Sequence, residues 1–185
     1  KTHERKAGIF TMCGFVGFID GGDTQQDAGV LRSMTDAIRH RGPDDADYYM
    51  DGTISLGFRR LSIIDLEGGR QPILNEDGSK VLTFNGEIYN FQEIKKDLLA
   101  AGHVFKTATD SEVLLHGYEE YGTGLLNKLR GMFAFVIWDK EKRELFGARD
   151  FSALSPVLRQ DGPNPDVRLG DQELSAPPPL SERTQ

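Results

Sequence analysis

Met12-Cys13-Gly14-Phe15-Val16-Gly17-Phe18-Ile19-Asp20-Gly21-Gly22 sets small residues between large apolar ones and closes on Asp-Gly-Gly, which reads as a buried strand running into a turn. Cys13, at the head of that strand, is the chain's single cysteine. A lone cysteine in an apolar run is more often a small buried residue than a catalyst. The methionine directly before it changes the balance, because Met12-Cys13 has the form of a gene start. With Met12 removed, Cys13 would be residue one. An α-amino group has a pKa of about 8, so near neutral pH it can take the thiol proton, and one residue then supplies both nucleophile and base. While Lys1 to Thr11 remain attached, that amine is an amide with no useful basicity. Residues 1–12 are therefore expected to be an N-terminal extension or a propeptide-like segment, upstream sequence translated in error being the favoured account, and their removal is expected to switch activity on.

Outward from this strand, Leu31, Met34 and Ile38 recur at helical spacing, and with Asp27 placed to cap they predict an amphipathic helix over 27–40. Arg41-Gly42-Pro43-Asp44-Asp45 breaks it. Asp47 to Met50 and Ile54 to Phe58 read as strands joined by Asp51-Gly52, a tight-turn dipeptide. Leu61 to Asp77 reads as a long loop. Val81 to Phe84 is a predicted strand, and Asn85-Gly86 offers left-handed backbone before Glu87 to Tyr89 continues extended. Asn90 is placed to cap a helix striped by Phe91, Ile94 and Leu98 and ended by Gly102. A further helix, starting near Asp110, is striped by Val113, Leu114 and Tyr118, and both are expected to have polar outer faces. Met132 to Trp138 and Glu144 to Ala148 flank the charged turn Asp139-Lys140-Glu141-Lys142-Arg143 as a hairpin. From Phe151 onward prolines punctuate a polar stretch with no apolar period, so residues 151–185 are expected to be a disordered tail.

At 185 residues the chain can bury one sizeable core. No apolar run approaches the roughly 18 residues of a membrane span. A net charge of -7 without a basic, aromatic-studded patch argues against nucleic acid. One cysteine excludes an internal disulfide and a cysteine-built metal site, and it suits a reducing cytoplasm. His40, His103 and His116 have neither metal spacing nor a triad pattern, so each is expected to be structural or exposed and no metal is assigned.

Five separated stretches then carry a resemblance: Met12-Cys13-Gly14, Arg41-Gly42-Pro43-Asp44, Arg60-Leu61-Ser62-Ile63-Ile64-Asp65, Phe84-Asn85-Gly86-Glu87-Ile88-Tyr89-Asn90 and Thr109-Asp110-Ser111-Glu112. In this order they resemble the class II glutamine amidotransferases, an N-terminal-nucleophile hydrolase family, and their Arg-Gly-Pro-Asp and Asn-Gly-Glu-Ile-Tyr-Asn forms resemble its glutamine-hydrolysing asparagine synthetase branch. The resemblance covers residues 13–150 and implies an α+β fold, a four-layer αββα sandwich. It implies that Cys13 attacks the glutamine carboxamide while Asn85 and Gly86 form the oxyanion hole, one through a side-chain amide and the other through a backbone N–H. Read alone, Asn85-Gly86 is a plain hairpin turn, and both readings can hold. Arg60 would clamp the α-carboxylate with its guanidinium fork, whereas Arg59 reads as a solvated charge. Glu87 and Asp110 would bind the substrate ammonium; read alone they are a strand-edge charge and a helix cap. Ile63 and Ile64 would lend backbone groups, and Arg41 to Asp45 would shape the pocket rim. The resemblance implies no cofactor for glutamine hydrolysis, with ATP and Mg belonging to a synthetase domain absent from this chain. A homodimer is left open.

After Gly147-Ala148-Arg149-Asp150 such proteins continue with a segment resembling Phe-Gly-Ile-Lys-Pro-Leu-Tyr, whereas this chain reads Phe151-Ser152-Ala153-Leu154-Ser155-Pro156. A shift of one base near codon 151 converts one reading into the other, so the tail is expected to be frameshifted and the sandwich to lack its last strands. Two rivals remain: a class II amidotransferase serving another acceptor, and an inactive truncated fragment that retains the motifs.

Overall fold

In the computed structural model the described residues are 13–19, 24–61 and 70–150. The expectations for residues 1–12, for Ile63 and Ile64, and for the tail from Phe151 lie outside them. The chain divides into two compact units, Lys1–Pro72 and Ile73–Gln185. Each joins one antiparallel sheet to helix, which bears out the α+β class.

In the first unit β1 (Gly14–Ile19), β2 (Asp45–Met50) and β3 (Ile54–Arg60) form a sheet in the order β1-β3-β2. The β2–β3 hairpin forms where expected. Asp51 shapes its turn, its carboxylate accepting the Thr53 and Ile54 N–H groups at 3.0 Å each. Helix α1 (Thr24–Ala37) packs on this sheet through Leu31 and Thr35, both buried. It begins before Asp27 and ends before His40. Asp27 is therefore not the cap but a buried acid within the first turn, where a carboxylate still favours the positive end of the helix dipole.

In the second unit β4 (Ile73–Leu74), β5 (Lys80–Ile88), β6 (Gly131–Asp139) and β7 (Glu144–Arg149) form one sheet in chain order. The β6–β7 hairpin is as expected, whereas the long loop contains a short strand, β4. Helices α2 (Phe91–Ala100) and α3 (Glu112–Tyr121), with a 3-10 helix at Gly122–Asn127, carry a shared core. Leu82, Phe84 and Ile88 of β5 meet Ile94, Leu98, Val113, Leu114 and Tyr118 in it. Each such buried aliphatic side chain contributes about 1.5–3 kcal/mol. The polar side of α3 faces outward only in its last turn, at Glu119 and Glu120, because α3 is buried from Glu112 to Tyr118, enclosed by α2, β5 and the 3-10 helix. No helix among the described residues is long and apolar enough to cross a membrane.

Asn85-Gly86 is not a turn. β5 runs straight through it, pairing Asn85 with Ala134 and Gly86 with Phe133. Gly86 has φ 142° inside this strand, and a Cβ there would lie 2.1 Å from the Met132 carbonyl oxygen, so both backbone conformation and space demand glycine.

Candidate functional site

In the first unit, Cys13 stands half-buried one residue ahead of β1. The pairing of Gly14 with Arg59 carries Cys13 to the end of β3, beside Arg60 and Leu61. There the Leu61 N–H donates to the Cys13 sulfur at 3.3 Å, and the thiol lies 3.8 Å from the Leu61 carbonyl oxygen. The Cys13 carbonyl in turn accepts from Arg41 Nε at 3.3 Å.

Arg41 reaches that position because the Arg41-Gly42-Pro43-Asp44 segment lies directly on the end of β3. A Cβ on buried Gly42 would come within 2.5 Å of the Arg59 backbone, and the Asp44 N–H donates to the Arg60 carbonyl at 3.2 Å. The segment expected to shape a rim thus holds the backbone of Cys13. Arg59 is not a solvated charge. It is 8% exposed, donates from Nε to the Thr35 carbonyl at 3.1 Å and pairs with Asp36. The solvent-facing choice between the two arginines falls to Arg60, which is half-buried at the strand end.

In the second unit, Asn85 is buried while Gly86 and Glu87 are exposed. Alternation along β5 puts Asn85 and Glu87 on one face. β4 pairs only with Val81 and Leu82, so from Thr83 onward the outer edge of β5 has no strand partner among the described residues. Asp110 covers the far end of that edge, its carboxylate accepting the Ile88 N–H at 2.9 Å. Burial pushes the Asp110 carboxyl above the ordinary carboxylate range; the Ile88 hydrogen bond opposes this, and the negative charge of Glu87 adds to it. A carboxylate whose charge is disfavoured by burial and by a neighbouring negative charge is relieved by a cation placed against it.

The loop bearing Asp110 is fixed by Glu112, whose carboxylate accepts the Lys106 and Thr107 N–H groups at 2.8 Å each and the Thr107 hydroxyl at 2.6 Å. Burial alone would raise the Glu112 carboxyl, but these donors outweigh it and hold it below its usual range. In the sequence Glu112 shows only as the last residue of Thr109-Asp110-Ser111-Glu112, because its supporting role depends on Lys106 and Thr107 folding back onto it. His103 and His116, each expected to be structural or exposed, are brought against each other with ring centroids 5.1 Å apart.

A family model described as a glutamine amidotransferase domain matches residues 12–172. Among curated proteins, asparagine synthetase [glutamine-hydrolyzing] 2 of Bacillus subtilis (strain 168) is 47% identical over 80% of this chain and 20% of its own length. A probable asparagine synthetase [glutamine-hydrolyzing] of Dictyostelium discoideum is 40% identical over 79% of this chain and 27% of its own. The chain thus spans about a fifth to a quarter of the length of these relatives. A solved glutamine phosphoribosylpyrophosphate amidotransferase from B. subtilis superposes at a TM-score of 0.40 with 27% identity, covering 48% of this chain and 22% of that one.

Proposed function

This chain belongs to the glutamine amidotransferase domain family, and on that premise we propose that it is the glutaminase half of an asparagine synthetase, hydrolysing glutamine through Cys13. The observation that carries the reading is the placement of Cys13: at the head of a strand, half-buried, with a backbone N–H on its sulfur and a guanidinium on its carbonyl.

In the proposed reaction the Cys13 α-amine, freed by removal of residues 1–12, takes the thiol proton, and the sulfur bonds to the carboxamide carbon. The Asn85 amide and the Gly86 N–H hold the oxyanion, a contribution of about 3–4 kcal/mol per donor in such sites. The C–N bond breaks and ammonia leaves with the transferred proton. Water then adds to the thioester, glutamate departs and the thiol is restored. Arg60 clamps the substrate α-carboxylate, Glu87 and Asp110 hold its ammonium, and Ile63 and Ile64 contribute backbone groups. Support for the ammonium role comes from the raised Asp110 carboxyl beside Glu87. The hydrolysis needs no cofactor. In the whole enzyme, a synthetase domain using ATP and Mg would activate aspartate and receive the ammonia. The lone thiol suits a cytoplasmic setting.

The test compares ammonia and glutamate release from glutamine by protein beginning at Cys13 and by the chain beginning at Lys1. Turnover confined to the trimmed protein is the expected result. Equal turnover by both would remove the α-amine as base, and none from either, with Cys13 verified as the free N-terminus, would overturn the glutaminase assignment.

A further inference from the structure

The second unit carries a side-chain cluster that the proposed hydrolysis does not use. His116 and Glu119 stand one turn apart on α3, and His103, just beyond α2, comes to the same place. Glu119 Oε2 lies 3.3 Å from His116 Nδ1 and 3.7 Å from His103 Nδ1. A ligand atom from each of the three residues lies within 4.8 Å of the others. In a tetrahedral zinc site with bonds of about 2.0–2.1 Å, neighbouring ligand atoms stand about 3.3 Å apart. Two of the spacings here are already near that value, and the third is no more than 4.8 Å.

The far atom of each residue already has an outer partner. Glu119 Oε1 accepts from Asn75 Nδ2 at 2.7 Å, His103 Nε2 lies 3.2 Å from Glu120 Oε2, and His116 Nε2 faces Glu76 and Glu112 at 3.6 and 3.7 Å. Outer carboxylates and amides of this kind orient metal-binding imidazoles and carboxylates. We propose that His103, His116 and Glu119 bind one divalent transition-metal ion of the zinc class, with a fourth position open to water. Two imidazoles and a carboxylate suit Zn, Co or Ni rather than Mg or Ca, and the surrounding Glu76, Glu112 and Glu120 add the negative charge a dication favours. A second grouping, Glu76, Glu112 and His116, is the weaker candidate because both Glu112 oxygens are already engaged by Lys106 and Thr107. The ion would tie the segment between α2 and α3, which also carries Asp110, to the middle of α3.

The competing account is a metal-free histidine–glutamate network, and the experiment separates the two. The full chain carrying Cys13→Ser, which removes the thiol as a competing ligand, is titrated with Co2+ and then with Zn2+. A tetrahedral cobalt absorption saturating at one equivalent and displaced by zinc is expected, along with a zinc-dependent rise in Tm. His103→Ala and the near-isosteric Glu119→Gln should each weaken binding at least tenfold and abolish the Tm rise, while His40→Ala, at an exposed site, should change neither. No stoichiometric binding at micromolar metal, or binding unchanged by His103→Ala and Glu119→Gln, would overturn the proposal.

Discussion

The Asp110 carboxylate accepts the Ile88 backbone N–H at 2.9 Å, and this bond joins the loop before α3 to the uncovered edge of β5. Asp110 is held above the ordinary carboxylate range, first by burial and also by the charge of Glu87. A carboxyl raised in the folded state binds its proton more tightly there than in the unfolded chain. The charged form therefore costs stability above that raised pKa, and the cost fades as pH falls through it. Asp110→Asn keeps an acceptor for Ile88 and removes the charge. We expect a higher Tm at pH 7, modest because Asp110 is only half-buried and solvent screens it. The gain should vanish below about pH 4, where the unfolded aspartate is also protonated. The same variant should raise KM for glutamine at least tenfold. Thermal melts across pH and steady-state kinetics check the two halves, and a lower Tm at pH 7 would show that the charge itself holds the loop.

Gly86→Ala should be among the most damaging single substitutions. Its φ of 142° is a region that side chains rarely enter, and the new Cβ would meet the Met132 carbonyl at 2.1 Å, which only backbone movement can relieve. Roughly 3 kcal/mol or more of stability should be lost. Gly52→Ala, in the β2–β3 turn, also has a positive φ but no atom within 4 Å of its Cβ, so its cost should be near 1 kcal/mol. Urea denaturation of the two variants measures the difference, and equal losses would mean that backbone strain rather than the Met132 contact sets the cost.

Most strands and helices were legible because each rests on local pattern: the glycine-spaced apolar run of β1, the Asp51-Gly52 turn, the 3.6-residue stripe of α2. The errors came where a residue's role depends on partners distant in sequence. Asn85-Gly86 has the local chemistry of a turn, yet pairing with Ala134 and Phe133 keeps it in a strand. The Arg59 and Arg60 neighbours look alike in the sequence, and only the Thr35 carbonyl and Asp36 decide which is buried. The histidines show no metal spacing along the chain because His103 and His116 meet only once α2 and α3 have packed. Among the candidate site residues, Cys13 was found from its place behind Met12. The Leu61 amide and the Arg41 guanidinium that serve it left no mark in the sequence beyond membership of the motifs.

Asn90 tests that distinction between local and distant partners. It occupies the N-cap of α2, but its side chain makes no capping bond. Its amide instead donates to the Lys128 carbonyl at 2.8 Å while its carbonyl accepts the Arg130 N–H at 2.9 Å, clamping the entry to β6. Asn90→Ala should cost about 1–2 kcal/mol. A capping role would be restored by Asn90→Ser or Asn90→Asp, both good caps. A clamp needs donor and acceptor together, so neither should recover more than a small part of the loss in chemical denaturation. Full recovery by Asn90→Ser would mean that the helix end carries the energy.

Arg41 separates positioning from chemistry at Cys13, the proposed nucleophile. Its Nε meets the Cys13 backbone carbonyl at 3.3 Å and its side chain lies against Gly14, so the expected route of its effect on the reaction is the placement of the sulfur. A misplacement of about 1 Å can cost a hundredfold in rate. Arg41→Met, which keeps the aliphatic packing and removes the donor, should lower kcat on glutamine by about 10–100-fold in protein beginning at Cys13, with KM little changed. Arg41→Lys should restore part of the loss, since an ammonium can still reach the carbonyl but lacks the planar fork. Alkylation of Cys13 by iodoacetamide should still reach one equivalent in every variant, because the thiol remains present and half-buried. A rise in KM with kcat intact would instead place Arg41 against the substrate, making it a binding residue and not the brace of the strand that carries Cys13.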